Sequence, residues 1–308
     1  MQTVLITGGT GLVGKNLARS LTEKGYNIII LTRKLPGGQA AQNIRYALWD
    51  VHQQQIAIDA VQQADHIIHL AGAGVMDRKW TAAYKKEIID SRAKSAALLI
   101  DTLRQHAHKV KTFISASAIG YYGKDKTPVV PFEETDAPDT AFLGEVCRLW
   151  EESVEPVKEL NIRLVKFRIG IVLGETGGAL KEFITPLRFG IATILGNGKQ
   201  VVSWIHLADL CRLFIYAIEN EKMNAAYNAV APMPVTNKKL ILTLAKKRNG
   251  SFYIPIPVPG FVLKLALGGR SIEILKSATV SSKKTEAAGF DFQYATIEAA
   301  LDDLVKKD

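Results

Sequence analysis

The stretch that most constrains this chain is its start. Val4-Leu5-Ile6-Thr7 is a short apolar run that ends in glycines at positions 8, 11 and 14, spaced Thr-Gly-x-x-Gly-x-x-Gly, and a helical pattern begins at Leu12. A buried strand, a tight turn and a helix N-terminus in that order make a phosphate cradle, because backbone N–H groups and the positive end of the helix dipole then face one anion. Gly8 permits the turn, Gly11 lets the backbone approach a pyrophosphate, and Gly14 lets the helix pack on the strand. Thr10, Leu12 and Val13 complete the predicted cradle. Such a string is specific only in context, and the context has to come from the rest of the chain.

Beyond the cradle the alternation continues. Strands are expected at Thr3–Ile6, Tyr26–Thr32, Ile44–Leu48, Asp65–Ala71, Lys111–Ser115 and Ile162–Ile169. Helices are expected over Leu12–Lys24, Ile56–Gln63, Trp80–His106 and Phe142–Leu160, with a loop at Leu35–Gln42. Strands that are nearly all apolar need cover on both faces, so the pattern predicts a Rossmann-type, doubly wound α/β fold with a parallel sheet. Ligand is then expected at the C-terminal ends of the strands. After residue 170 the pattern changes. Leu173–Gly178 reads as a Gly-rich loop, and Val201–Ala217 as a strand or loop feeding a helix. Five prolines between positions 232 and 259 punctuate the C-terminal third. The expected division is a dinucleotide-binding domain at 1–170, rejoined by 201–230, and a smaller substrate-side domain from 171–200 and 231–308.

Composition narrows the classes. Of the 308 residues 47% are hydrophobic and 22% charged, enough for a sizeable core, and no apolar run reaches the ~18 residues of a membrane span. The net charge of +9 is spread along helices beside Glu and Asp, and no basic, aromatic-interleaved nucleic-acid motif occurs. Cys147 and Cys211 form neither a disulfide framework nor a metal-ligand spacing. With no leader-like start, a cytoplasmic protein acting on a small molecule, without nucleic acid or membrane, is expected.

The cofactor can be read more finely. A dinucleotide fold that prefers NAD often ends its second strand on a carboxylate, which holds the ribose 2′-hydroxyl. Here that strand ends Leu31-Thr32-Arg33-Lys34. A guanidinium binds a 2′-phosphate that a carboxylate would repel, so Arg33 and Lys34 predict NADP. The other reading of the two cations is a solvated loop. Leu70-Ala71-Gly72 ends another strand with residues that let backbone approach the cofactor. His69 reads as a satisfied buried histidine, and Asp50 as a possible adenine contact.

At Thr7–Gly14, Asp65–Gly72, Ser115–Gly123, Arg168–Gly174 and Trp204–Asp209 the sequence resembles the extended branch of the short-chain dehydrogenase/reductase superfamily. Arg78-Lys79-Trp80-Thr81, Ser91-Arg92, Gly120-Tyr121-Tyr122-Gly123 and Cys147-Arg148-Leu149-Trp150-Glu151 are similar to an atypical, NAD(P)-dependent epimerase-like family within it. The tail, from Leu265-Ala266-Leu267-Gly268-Gly269 to Ala300-Leu301, resembles the C-terminal domain of unknown function found in that family, some members of which are labelled cell-division inhibitor. The resemblance implies a nicotinamide cofactor, a segment from Arg168 bordering nicotinamide and substrate, and dimerisation through the two long helices.

It also implies Tyr-x-x-x-Lys on one helix, where the ammonium and the cofactor lower the tyrosine pKa for proton exchange with substrate. This chain departs from that pattern. With Glu151 aligned to the family's glutamate, Leu143 falls at the tyrosine and Cys147 at the lysine. Ser117, Tyr121 and Tyr122 are the candidates to compensate, either phenol serving as a displaced acid; the bland reading is that the tyrosines pack the turn. Arg148 stands near Cys147 as a cation or as a salt-bridged surface residue. Arg78-Lys79-Trp80 reads equally as a lid over ligand and as a helix start with one buried anchor. Glu87, Asp90 and Arg92 read as surface ion pairs, and His206 with Asp209 as a helix buttress. Three functions are compatible with these residues: an NADP-dependent oxidoreductase or epimerase-like enzyme on a small polar substrate, an NADP-binding sensor or scaffold without turnover, and a partner-binding regulator.

Overall fold

A computed structural model describes residues 1–37, 42–175 and 177–305. The chain runs β1 (Thr3–Thr7), α1 (Leu12–Glu23), β2 (Asn27–Thr32), β3 (Ile44–Asp50), β4 (Gln55–Ile56), α2 (Ile58–Gln62), β5 (His66–His69), α3 (Ala82–Gln105), β6 (Thr112–Ala118), α4 (Phe142–Val154) and β7 (Arg163–Ile169). Then come β8 (Ile171–Gly174), α5 (Gly178–Leu187), β9 (Ile191–Leu195), β10 (Val201–Val202), β11 (Trp204–His206), α6 (Leu207–Glu219) and β12 (Ala226–Ala229). The chain closes with β13 (Val235–Thr236), α7 (Asn237–Asn249), β14 (Ile254–Val258), α8 (Gly260–Leu267), α9 (Ser271–Leu275), α10 (Lys283–Ala287) and α11 (Ile297–Leu304).

Among the described residues the central sheet has eight strands in the order β12-β7-β6-β5-β1-β2-β3-β4. Its neighbours pair in parallel except β4, which runs antiparallel to β3. Successive side chains of a strand point to opposite faces. Val4, Ile6, Ile28 and Ile30 accordingly pack with α1 and α6 through Leu17, Leu21, Leu210 and Phe214. Leu5, Ile29, Leu31 and Ile67 pack on the other side with Ala60 and Val61 of α2 and Ala96 and Leu99 of α3. The expected doubly wound α/β fold is therefore present, and nearly every strand residue facing these layers is buried.

Local differences from expectation have local causes. The helix expected to run through residue 160 leaves α geometry at Val154, and Glu155–Leu160 is a 3-10 segment with proline in its first turn. Leu173 and Gly174, expected in a loop, belong to β8, which pairs in parallel with β11. That partner lies some 30 residues on in sequence, so no local pattern could reveal it. The expected loop at 35–42 includes residues 38–41, and the Gly-rich segment at 173–178 includes residue 176; both lie partly outside the described residues.

The strand order reverses between β1 and β5, and a crevice at the C-terminal ends of strands results from such a reversal. The segment after α9 crosses the β6 side of that edge. Asp125 accepts from the Thr279 N–H at 2.6 Å and from the Ser277 hydroxyl at 2.8 Å, and Phe132 bridges to Val280. A third buried cluster joins α5, α7 and α11 through Leu180, Leu187, Leu240, Leu244, Ala300 and Leu301.

Candidate functional site

The cradle is built as the glycine string requires. Gly8 holds φ +68°, and a Cβ there would stand 2.8 Å from the Leu70 carbonyl carbon at the end of β5. A Cβ on Gly14 would overlap the Gly8 carbonyl oxygen, so the helix meets the turn at the closest distance the backbone allows. Gly11 differs from both. It is exposed, caps α1 with no side-chain hydrogen bond, and an added Cβ would meet nothing but the Gly8 oxygen, at 3.3 Å. The first-turn N–H groups of a helix lack intrahelical acceptors, and here no side chain supplies one. Gly8, Thr10, Gly11, Leu12, Val13 and Gly14 thus lie together around an open helix N-terminus that fits an anionic phosphate.

Thr7 ties this turn to the next strand. Its Oγ1 accepts from the Leu70 and Ala71 N–H groups, both at 3.1 Å, so its proton goes to His69 Nδ1 at 2.8 Å. His69 Nε2 then donates to Ser95 Oγ at 3.2 Å, and the single Ser95 hydroxyl proton is shared between the Ser91 and Arg92 carbonyls at 2.7 and 2.9 Å. Burial pushes the imidazole down to about 4, which keeps it neutral, as a satisfied core histidine. Leu70, Ala71 and exposed Gly72 come out of this arrangement beside the cradle.

Thr7 pairs with Leu31 across β1 and β2, so Arg33 and Lys34 come directly after the strand that flanks the cradle. Both are exposed, and Arg33 has no hydrogen bond or ion pair among the described residues. Asp50 lies farther out and spends one oxygen on the N–H groups of His52 and Gln53, as a turn cap.

The β6–β7 end is filled. Ser117 is 2% exposed and donates to Glu151 Oε1 at 2.8 Å. Arg168 is 3% exposed and grips the same carboxylate through Nε at 2.8 Å and Nη2 at 3.1 Å. Its Nη1 donates to the Tyr122 phenol at 2.9 Å, and that phenol donates to Asn228 Oδ1 at 2.7 Å. Tyr122 is 0% exposed and stacks on Phe132 at 5.1 Å. Burial raises its pKa, which fixes the proton on Tyr122.

Three of the expected site residues are tied into this network. Tyr122 is placed as a structural phenol, its one proton already given to Asn228. Ser117 spends its hydroxyl proton on Glu151. Arg168 is enclosed by Glu151, Tyr122 and the Glu134 carbonyl, where a cofactor could not reach it without breaking a buried ion pair. Glu151 and Asn228, which hold the three together, are separated from Tyr122 by 29 and 106 residues, so only the folded topology reveals them. Tyr121 stands differently. It is half-buried, and the Arg168 guanidinium lies 3.5 Å from its ring centroid.

The α4 positions read as substitutions are buried too. Leu143 is 9% exposed, Cys147 is 4% exposed, and burial pushes the Cys147 thiol up to about 12. Arg148 is held by Glu145 and Glu152, away from that thiol, as a surface ion pair. Asp90 pairs with Lys86 and Lys94, and Glu87 with Arg78. Arg92, expected on the same surface, is instead 8% exposed and packs on the Trp150 ring at 4.7 Å. The signal for this is in the sequence: Ile88, Arg92, Ala96 and Leu99 fall on one stripe of α3, and the other three are apolar and buried.

Trp80 donates to the Val75 carbonyl at 2.7 Å and meets Phe142 edge-on at 5.0 Å, while Lys79 and Arg78 stay exposed. A cavity of about 280 Å³ lies between Lys79, Trp80, Lys85 and the Leu267–Gly269 turn. His206 and Asp209 are structural: His206 Nδ1 caps α6 at the Ala208 N–H, and buried Asp209 accepts from the Gln293 and Tyr294 N–H groups. Among the described residues no helix is long and apolar enough to cross a membrane, and no His/Cys/Asp/Glu group fits a metal.

Comparison with known proteins agrees with this architecture. Residues 258–304 match a domain of unknown function, DUF1731. The epimerase family protein YfhF of Bacillus subtilis is 33% identical over 302 residues, which cover 98% of this chain and 97% of that one. The crystal structure of human epimerase family protein SDR39U1 (isoform 2) with NADPH has a TM-score of 0.85 at 25% identity, covering 98% of this chain and 99% of that one. A nucleoside-diphosphate sugar epimerase from Corynebacterium glutamicum has a TM-score of 0.73 at 30% identity, covering 97% of this chain and 57% of that one. Residues 4–229, which contain the cradle, all but the first residue of the central sheet and the Tyr122–Arg168 network, match the NAD dependent epimerase/dehydratase family, and the chain belongs to that family.

Proposed function

We propose that this chain binds NADP(H) across the crevice between β1 and β5 and exchanges a hydride with a small polar carbonyl or alcohol. The observation that carries the cofactor choice is Arg33, an exposed guanidinium without an ion-pair partner among the described residues, directly after the strand beside the open cradle. A 2′-phosphate supplies the anion that this fork would hold, and a 2′-hydroxyl does not. The human relative whose structure contains NADPH supports the same choice.

Bound there, the nicotinamide would supply or accept the hydride. The chain's own residues have to position it and manage one proton. Gly11 and the first turn of α1 would hold the pyrophosphate, and Leu70–Gly72 would flank the dinucleotide. Tyr121 is the remaining proton donor. Burial raises its pKa, so the phenol is protonated at neutral pH and suited to giving a proton to a forming alcohol. Arg168, held over its ring, fixes the orientation of Tyr121 while Glu151 neutralises the guanidinium.

A second reading, cofactor binding without turnover, is favoured by Leu143 and the protonated Cys147 at the positions where the superfamily keeps its acid and cation. Single-turnover oxidation of stereolabelled NADPH against a set of small polar aldehydes and ketones separates the two. Label transfer that disappears in Tyr121→Phe, with NADPH binding intact, is the expected result. Binding without transfer to any carbonyl overturns the enzymatic reading.

A further inference from the structure

We propose that Arg92 supplies from α3 the cation that α4 lacks at Cys147, and that it binds the hydroxyls of the nicotinamide-side ribose. The inference rests on the dinucleotide reading above and deepens it.

The first observation is an unbalanced buried charge. Arg92 is 8% exposed and has no ion pair with a carboxylate among the described residues. Its Nη1 donates to the Ile88 carbonyl at 2.8 Å and to the Ala73 carbonyl at 3.1 Å. Nε is buried without an acceptor, and Nη2 has no acceptor among the described residues. Enclosing a guanidinium with its Nε unused is costly unless some partner uses it, and Nη2 is left with a free donor beside it. The Trp150 face, 4.7 Å from the guanidinium carbon, offsets part of that cost but accepts no in-plane hydrogen bond.

The second observation is place. A Cβ built on Gly72 would stand 2.9 Å from the Arg92 guanidinium carbon and 3.1 Å from Nη2. The unused nitrogen is thus directly beside an exposed backbone glycine of the segment that flanks the crevice. Arg92 packs on Trp150, one turn along α4 from Cys147, and acts electrostatically on that thiol, so it occupies the surroundings of the position where the superfamily carries its lysine. Lys276 acts on the same thiol, but its ammonium is paired with Glu273 at 2.6 Å and donates to the Tyr122 carbonyl at 3.2 Å. Arg92 is the cation there with donors to spare.

The third point is chemical. Nε and Nη2 form one edge of a planar guanidinium, and a vicinal diol offers two oxygens at a matching spacing. An ammonium at Cys147 would reach such a diol from α4. The guanidinium would reach it from α3.

The test is calorimetric binding of NADPH and of adenosine 2′,5′-bisphosphate, which carries the 2′-phosphate but no nicotinamide-side ribose. Arg92→Met is expected to weaken NADPH about ten-fold or more, the scale of a lost charge-assisted hydrogen bond, and to leave the bisphosphate unchanged within about two-fold. Arg92→Lys keeps the charge without the fork and should lose less for NADPH, again with the bisphosphate unchanged. It also serves as the test where Arg92→Met does not fold. Unchanged NADPH affinity in a folded variant overturns the inference and leaves the cofactor reading standing, because Arg92 is then purely structural. An equal loss for both ligands overturns it too. Failure of the unsubstituted chain to bind NADPH overturns both readings.

Discussion

At the β1 end of the crevice the protein leaves its polar groups unused. The first turn of α1 has no side-chain cap, Gly11 is exposed, and Arg33 has no ion pair among the described residues. At the β6–β7 end, Ser117, Glu151, Arg168, Tyr122 and Asn228 use one another up in a buried chain of hydrogen bonds. Both ends stand on termini of the same parallel sheet. Unused donors belong where a ligand will complete them, while completed ones hold the fold. Substitutions should therefore separate the two ends cleanly, stability falling at one and ligand affinity at the other.

The largest expected effect lies in the buried network. Glu151→Ala leaves Arg168 enclosed without its carboxylate, and removal of one partner from a buried pair costs about 3–5 kcal/mol. Urea denaturation should read that loss; a change below about 1 kcal/mol would mean that the pair is solvated and the end is open. At the other end Arg33→Ala should weaken NADPH by about ten-fold to a hundred-fold, leave NADH unchanged, and not move the unfolding midpoint.

Two adjacent tyrosines sharpen the contrast further. Tyr122→Phe strands Asn228 Oδ1 and should cost about 1–3 kcal/mol. Tyr121→Phe removes a hydroxyl from a half-exposed ring and should change stability by less than about 0.5 kcal/mol, as at other surface positions. Equal losses would erase the distinction drawn between them. A smaller effect is expected from pH. Burial holds His69 and His66 near 4, below the ordinary 6.5, so the unfolded chain binds more protons between those values. Their contribution is complete above pH 6.5 and lost as the pH falls through 4, at up to about 1.4 kcal/mol per pH unit for each histidine. His69→Gln should flatten that slope in denaturation curves taken across the window.

The same contrast explains what is legible in the sequence. The cradle is local: strand, turn and helix start occupy residues 3–23 without interruption, and Arg33 comes at the end of the next strand. Glycine spacing and an apolar run are therefore enough to reveal it. The β6–β7 end is assembled from residues 117, 122, 151, 168 and 228, whose contacts depend on how strands are ordered in the sheet. Nothing local tells Tyr121 from Tyr122; the difference is Asn228 on β12 and Phe132 stacked on one ring. Arg92 reads as a surface residue for a related reason. Its neighbours Glu87, Asp90 and Lys94 are charged, but the helix turns position 92 onto the buried stripe.

The central claim is that the open end of the crevice selects a dinucleotide by its 2′-phosphate. Calorimetric titration of the unsubstituted chain and of Arg33→Ala with NADPH and NADH tests it directly. Binding of NADPH at least about ten-fold tighter than NADH, with the two made equal by Arg33→Ala, is the predicted result. Equal affinities in the unsubstituted chain, or a preference for NADPH that survives Arg33→Ala, would contradict it.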